Sequence, residues 1–247
     1  MSKRGKLFLL RKRFSFFIFP QGEVSMLIEL ASAPAAAGLF FLYIKDKYEK
    51  EPWKMLFLGL LFGLYTAAVV YACGTWLEVQ MPHQETPLYT AFFSSAGVEE
   101  TIKFAFLFLL IWGNRNFNEP LDGIVYGVFL SLGFAWVENI IYVTHPVLGG
   151  YETALTRAVL SVPGHGLFGV QMGYYLARAK YKKEKFHLLL AFFVPYLAHG
   201  LYNFFLLKKD GICWLLFAAL EVWLWVSGLR KIKELQNISP FRQKKLG

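Results

Sequence analysis

Apolar residues fall in seven runs separated by short polar connections, at 26–44, 55–77, 88–112, 121–143, 156–177, 187–207 and 212–229. A helix rising about 1.5 Å per residue needs about 20 such residues to cross the hydrocarbon of a bilayer. The alternation of a lipid-facing strand is absent, so a β-barrel is not supported. No internal repeat, low-complexity tract or linker interrupts the pattern. It predicts an all-α, polytopic transmembrane helix bundle of about seven spans. The bundle forms one domain at 26–231, with a basic N-terminal extension at 1–25 and a basic tail at 232–247.

Composition narrows the class. At 56% hydrophobic and 18% aromatic residues, with mean hydropathy +0.41, the 247-residue chain is not an ordinary soluble domain. The net charge of +9 would suit nucleic acid. The basic residues sit mainly between apolar runs, however, where membrane topology explains them, and no nucleic-acid partner is expected. Lys45, Lys47, Lys50 and Lys54 mark one connection; Arg178, Lys180, Lys182, Lys183 and Lys185 mark another; Arg230, Lys231, Lys233, Arg242, Lys244 and Lys245 mark the C-terminal end. The connections 78–87 and 144–155 carry no Lys or Arg. The basic set, with 113–120, is expected to be cytoplasmic and the other set outside. Lys208 and Lys209 then fall outside, a minor violation. The basic residues between Lys3 and Arg13 also conflict with an external N-terminus. Gly22-Glu23-Val24 can be encoded by a bacterial ribosome-binding sequence just before Met26, so Met26 is the expected start. Cys73 and Cys213 lack CxxC spacing and read as packing residues.

The chemistry lies in the polar residues inside the runs. A charge near the centre of a span costs roughly 2.5–3.5 kcal/mol on insertion scales. Yet 88–112 contains Glu99, Glu100 and Lys103, 121–143 contains Glu138, 156–177 contains His165, and 187–207 contains His199 with Asn203 four residues on. Lys103 shares a helix face with Glu99 and lies near Glu100, so one carboxylate can pair with it while the other does chemistry. His199 and Asn203 project together, as two ligands or as a ligand and its orienting partner. Each feature has a bland alternative: an interhelical salt bridge for Glu99-Glu100-Lys103, a hydrogen-bonded packing residue for Glu138 or His165. Together, by helical rise, the four sites lie about 8–16 Å below the outer ends of their runs. Glu and His in that setting are the side chains that hold Zn²⁺ and activate a water, which points to an intramembrane metalloprotease. The glycines at 149, 150, 164 and 166 leave room for an approaching strand. Asp122, at the cytoplasmic end of its run, reads as interfacial, and His83, His145 and His187 as loop or helix-end residues. Glu221 reads as a structural hydrogen-bonding group. No serine has the context of a nucleophile.

Four stretches carry a family resemblance: G-V-E-E-T-I-K-F at 97–104, D-G-I-V-Y-G at 122–127, L-G-F-A-W-V-E-N at 132–139 and L-A-H-G-L-Y-N-F at 197–204. Together they resemble the PrsW family, within the CAAX-protease and bacteriocin-processing superfamily. The similarity runs in order from about Met26 to Lys231. The resemblance implies a bacterial cell-membrane protease that makes the first cut in a transmembrane anti-sigma factor, activating a stress-response sigma factor. It makes Glu99 the water-activating base, Glu100 its partner, and His199 the final motif histidine. Glu138 stands where superfamily relatives often carry His, and Asn203 where PrsW members can carry Asp. The Zn²⁺ site that it implies draws on Glu138, His165, His199 and Asn203, with His165 added from its position. A proton- or cation-coupled transporter using a buried Glu/His relay is the competing reading. An inactive membrane scaffold is a third, disfavoured by the intact Glu99-Glu100 pair and both histidines.

Overall fold

In hydrocarbon, backbone N–H and C=O groups have no water to bond, so each apolar run must close its hydrogen bonds within itself. A computed structural model, which describes residues 21–81 and 86–242, meets this demand with helices and contains no strand among the described residues. Helix α1 is Gln21–Lys45 and α2 is Trp53–Gln80. A π-helical stretch, Tyr89–Gly97, runs directly into α3, Val98–Ile111. Then follow α4 (Pro120–Val143), α5 (Tyr151–Val159), α6 (Ser161–Lys182), α7 (Phe186–Lys208) and α8 (Gly211–Asn237). Residues 1–20, most of the expected N-terminal extension, and His83 lie outside the described residues, as do 243–247.

Five helices, α1, α2, α4, α7 and α8, are long and apolar enough to cross a membrane. The other two expected spans are present with altered form. The run 88–112 is continuous but π-wound in its first half. The run 156–177 is broken at Leu160, between the short α5 and the later-starting α6. By helical rise His165 therefore lies about 6 Å from the start of α6, rather than deep within one long span. Helix α8 runs unbroken to Asn237, with Leu235 fully buried.

Helix α4 is the axis of the bundle. All residues from Pro120 to Ala135 are buried, and α4 packs on α1, α2 and α6. Within their most apolar windows, 72% of α4 is buried, against 22–33% for α1, α2, α7 and α8, which turn large side chains such as Phe40, Phe57 and Leu215 outward. Lipid tails are as apolar as those side chains, so helix association rests on close packing. Small residues supply it: a Cβ on Gly173 of α6 would stand 2.0 Å from the Gly123 carbonyl oxygen, and one on Gly127 of α4 2.6 Å from that of Gly169.

The lysine-rich connections gather at one end. Lys180 Nζ and Tyr181 Oη each donate to the Phe117 carbonyl at 2.9 Å, Arg178 pairs with Glu234 at 2.9 Å, and Gln236 donates to the Lys45 carbonyl. This is the alternation that the charge pattern required. Asp122 is here too, 1% exposed. At the opposite end Gly149 and Gly150 donate to the His145 and Val143 carbonyls at 2.8 and 2.9 Å. They close a turn, Gly150 with φ +110°.

The α4–α6 seam yields a test. Gly173→Ala should destabilise the protein by at least about 1–3 kcal/mol, because backbone and not a flexible side chain must yield. Gly74→Ala, with nothing within 4 Å of the added carbon, should be neutral or stabilise by up to about 1 kcal/mol through helix propensity. Thermal unfolding of the two purified variants in detergent measures the difference.

Candidate active site

Glu99 and Glu100 occupy the first turn of α3, directly after the π-helical stretch. The π winding brings residue i beneath i+5, so a Cβ on Gly97 would lie 2.7 Å from the Phe92 carbonyl oxygen. It also aims Ser95 at the site. The Ser95 hydroxyl donates to Glu99 Oε1 at 3.0 Å and accepts from Asn203 Nδ2 of α7 at 2.8 Å.

Lys103, one turn further on, is fully buried, and its ammonium has three acceptors. These are Glu100 Oε1 at 2.9 Å, Glu99 Oε2 at 3.3 Å and His165 Nδ1 of α6 at 3.2 Å. An ammonium has three N–H groups, so its donors are fully used. The Phe134 ring lies 4.1 Å below it. Lys103 thus bridges both carboxylates instead of neutralising one and freeing the other.

The histidines fit one tautomer each. His199 Nδ1 lies 2.9 Å from Glu100 Oε1 and donates, leaving Nε2 to accept from Asn203 at 3.1 Å. His165 Nε2 lies 2.9 Å from Glu138 Oε2 and donates, leaving Nδ1 for Lys103. The two imidazoles stand edge to face with centroids 5.2 Å apart, and Phe168 stacks on His199 at 4.7 Å.

All seven residues expected from the sequence meet here, in two tiers. Glu99, Glu100, His165 and His199 each offer a ligand atom, and these atoms lie within 4.8 Å of one another. Glu138 and Asn203, expected among the metal ligands, stand one step out, each bonded to a histidine nitrogen facing away from that group. Arg157 explains the position of Glu138. From α5 its Nη2 pairs with Glu138 Oε2 at 2.8 Å and its Nε donates to Asn139 Oδ1 at 2.9 Å. Arg157 was not singled out in the sequence, although it is the only Arg or Lys within the run 156–177.

With neutral histidines the site holds three carboxylates, Glu99, Glu100 and Glu138, against two cations, Lys103 and Arg157. Glu100 Oε2 is buried without a hydrogen-bond partner among the described residues. The uncompensated charge, that bare oxygen and a donor set of two carboxylates and two imidazoles fit a divalent metal. The Lys103 ammonium uses three of the same acceptors. A cavity of about 540 Å³ opens over the site, lined by Ser95, Glu99, Glu138, Arg157, His165, His199 and Asn203 among others. Glu100 and Lys103 lie behind its wall.

Residues 51–227 match the model of the "PrsW family intramembrane metalloprotease". The chain belongs to the PrsW family. Protease PrsW of Geobacillus kaustophilus is 37% identical over 214 residues, covering 85% of this chain and 92% of that protein. Protease PrsW of Oceanobacillus iheyensis is 39% identical over 208 residues, covering 81% and 92%. For Protease PrsW of Bacillus subtilis the identity is 35% over 217 residues, covering 86% and 97%. No solved structure matches the chain. As a PrsW-family member the chain is an intramembrane protease of the bacterial cell membrane.

Arg157→Met should destabilise the protein by about 1–3 kcal/mol, the cost of leaving a largely buried carboxylate without its partner. Arg157→Lys should recover only part of this, because an ammonium cannot reach Glu138 and Asn139 as a planar fork does. Adding Glu138→Gln to Arg157→Met should cost less than the sum of the single changes. Unfolding midpoints of the four variants complete the cycle.

Proposed function

We propose that the chain is a Zn²⁺-dependent site-1 protease that cuts a membrane-anchored anti-sigma factor, with Glu99 as general base. The observation that carries this reading is the meeting of Glu99, Glu100, His165 and His199 inside the membrane domain, their ligand atoms within 4.8 Å. His165, His199 and a carboxylate of the Glu99-Glu100 pair would hold the metal; on binding, His199 would move its Nδ1 proton to Nε2, and Glu138 and Asn203, its amide turned to accept, would orient the two imidazoles. When bound, the metal supplies Lewis-acid polarisation of the scissile carbonyl and acidifies a water.

The side chains divide the remaining work. Glu99 borders the cavity, whereas Glu100 is fully buried, so Glu99 is the carboxylate that water and a peptide can reach. Glu99 takes a proton from the water as its oxygen bonds to the carbonyl carbon. The same carboxyl returns that proton to the departing amide nitrogen as the C–N bond breaks. Ser95 and Asn203 fix the carboxylate through the hydrogen-bonded chain from His199. Lys103 and Glu100 form a buried brace behind it.

Glu99→Gln keeps the shape and removes the base, so cleavage of a co-expressed anti-sigma factor should fall at least about 100-fold with normal membrane insertion. His199→Ala should do the same and lower the zinc content of the purified protein. Cleavage retained in either variant, at normal protein levels, would remove that residue from the mechanism. Removing metal with a chelator should abolish cleavage, and Zn²⁺ should restore it.

Peptide hydrolysis needs water, and the site lies toward the end of the bundle that carries no lysine-rich connection. Glu138 is about 8 Å from the end of α4 at Val143, and His165 about 6 Å from the start of α6. The substrate should therefore be cut on the extracytoplasmic side, in or just outside its span, where its backbone can unwind. Mass spectrometry of the released fragment locates the cut. A cut in the cytoplasmic half of the substrate would contradict this geometry.

A further inference from the structure

A second acidic group lies at the opposite end of α4. Glu49 of the α1–α2 connection, Glu119 at the N-cap of α4 and Asp122 in its first turn each present an oxygen within 4.8 Å of the others. Glu51 adjoins them, its carboxylate bonded by the Tyr126 hydroxyl of α4. Glu119, Asp122 and Glu51 are 0%, 1% and 3% exposed, and Glu49 is half-buried, open to water.

Helix capping accounts for only part of this. Asp122 Oδ2 accepts from the backbone N–H groups of Asn118 and Glu119 at 2.8 and 2.7 Å, as a first-turn carboxylate should. Glu119 Oε2 accepts from the Ser239 hydroxyl of the segment after α8. But Glu119 Oε1, Glu51 Oε1 and Glu49 Oε2 are buried with no hydrogen-bond partner among the described residues. Lys180 feels the charge of Asp122, but its ammonium donates to the Phe117 carbonyl. Leaving such oxygens bare costs of order 1–3 kcal/mol each, and more if they are charged. Burial, opposed by the Ser239 hydroxyl and reinforced by Asp46 and Glu49, lifts Glu119 to about 7. Burial and the facing Asp122 carboxylate push Glu51 far above the ordinary range.

We propose that Glu49, Glu119 and Asp122 form a second metal site, distinct from the protease centre, that takes a hard divalent cation of the Mg²⁺ or Ca²⁺ class. The donors are all carboxylate oxygens, which such ions prefer. Oxygens up to 4.8 Å apart can share an ion at the about 2.3–2.6 Å typical of Ca²⁺, or the shorter distance of Mg²⁺ after a small contraction. The ion would tie the α1–α2 connection to the N-terminus of α4 and, through Ser239, to the segment after α8. Asp122 and Glu138 are sixteen residues apart on α4, about 24 Å by helical rise, so the two sites do not share ligands.

The test uses the full-length chain in detergent. Its unfolding, followed by tryptophan fluorescence, is measured with chelator and with millimolar Mg²⁺ or Ca²⁺. Wild type and Glu99→Gln should both gain about 5 °C with at least one ion. Glu119→Gln and Glu49→Gln should lose that gain and melt no lower than wild type in chelator, since each removes one of several repelling carboxylates. Glu49 is only half-buried, so its variant decides the matter if Glu119→Gln does not fold. No gain in wild type with either ion would overturn the proposal. So would a gain kept in Glu49→Gln, or one lost in Glu99→Gln alone.

Discussion

The candidate active site depends on one constraint: a fully buried ammonium must have an acceptor for each of its N–H groups. Lys103 finds them on two successive residues of its own helix and on a histidine from α6. In a medium without water an unsatisfied charge is far more costly than an unsatisfied amide. Helices α3 and α6 are therefore held in register by chemistry as well as by shape. His199 joins through Glu100, and Glu138 with Arg157 joins through His165. Such a network is stable only when complete, which is why so many of its members lie on different helices.

Two departures from regular helix bring the network together. The π-helical stretch before Glu99 shifts the phase of the chain, so that Ser95 meets both Glu99 and Asn203. The break at Leu160 ends one helix and begins another, so that Arg157 and His165 approach Glu138 from different directions. A single continuous helix through 156–177 would have fixed their relative direction. Both departures lie within a few residues of the polar cluster.

Much of this was legible in the chain. The apolar runs predict the helices because a bilayer permits few other structures, and the buried glutamates and histidines stand out because hydrocarbon penalises them so heavily. What was not legible depends on contact between runs. Arg157 looks like one more basic residue near a helix end until Glu138 is seen beside it. Glu138 and Asn203 look like ligands as much as Glu99 does, and only the direction of each imidazole separates inner from outer positions. The π winding has no periodic signature in a run that is apolar on most sides. The burial of Asp122 was not legible because it depends on Glu51 of the α1–α2 connection and on the cap residues Asn118 and Glu119.

Between its two acidic ends α4 is sealed. From Gly123 to Ala135 every residue is buried, and only Tyr126 and Ser131 carry a polar side-chain atom. A protein that admits water to one half of a bilayer risks short-circuiting the membrane potential, which a bacterial cell uses to do work. Here no chain of titratable groups runs along the central helix from one cluster to the other, so a proton that reaches Glu138 has no hopping route down α4 to Asp122. The same stretch that anchors the bundle acts as electrical insulation along its central helix, setting the protease cavity apart from the opposite face. It also leaves α4 itself without the relay that a proton-coupled transporter could have used.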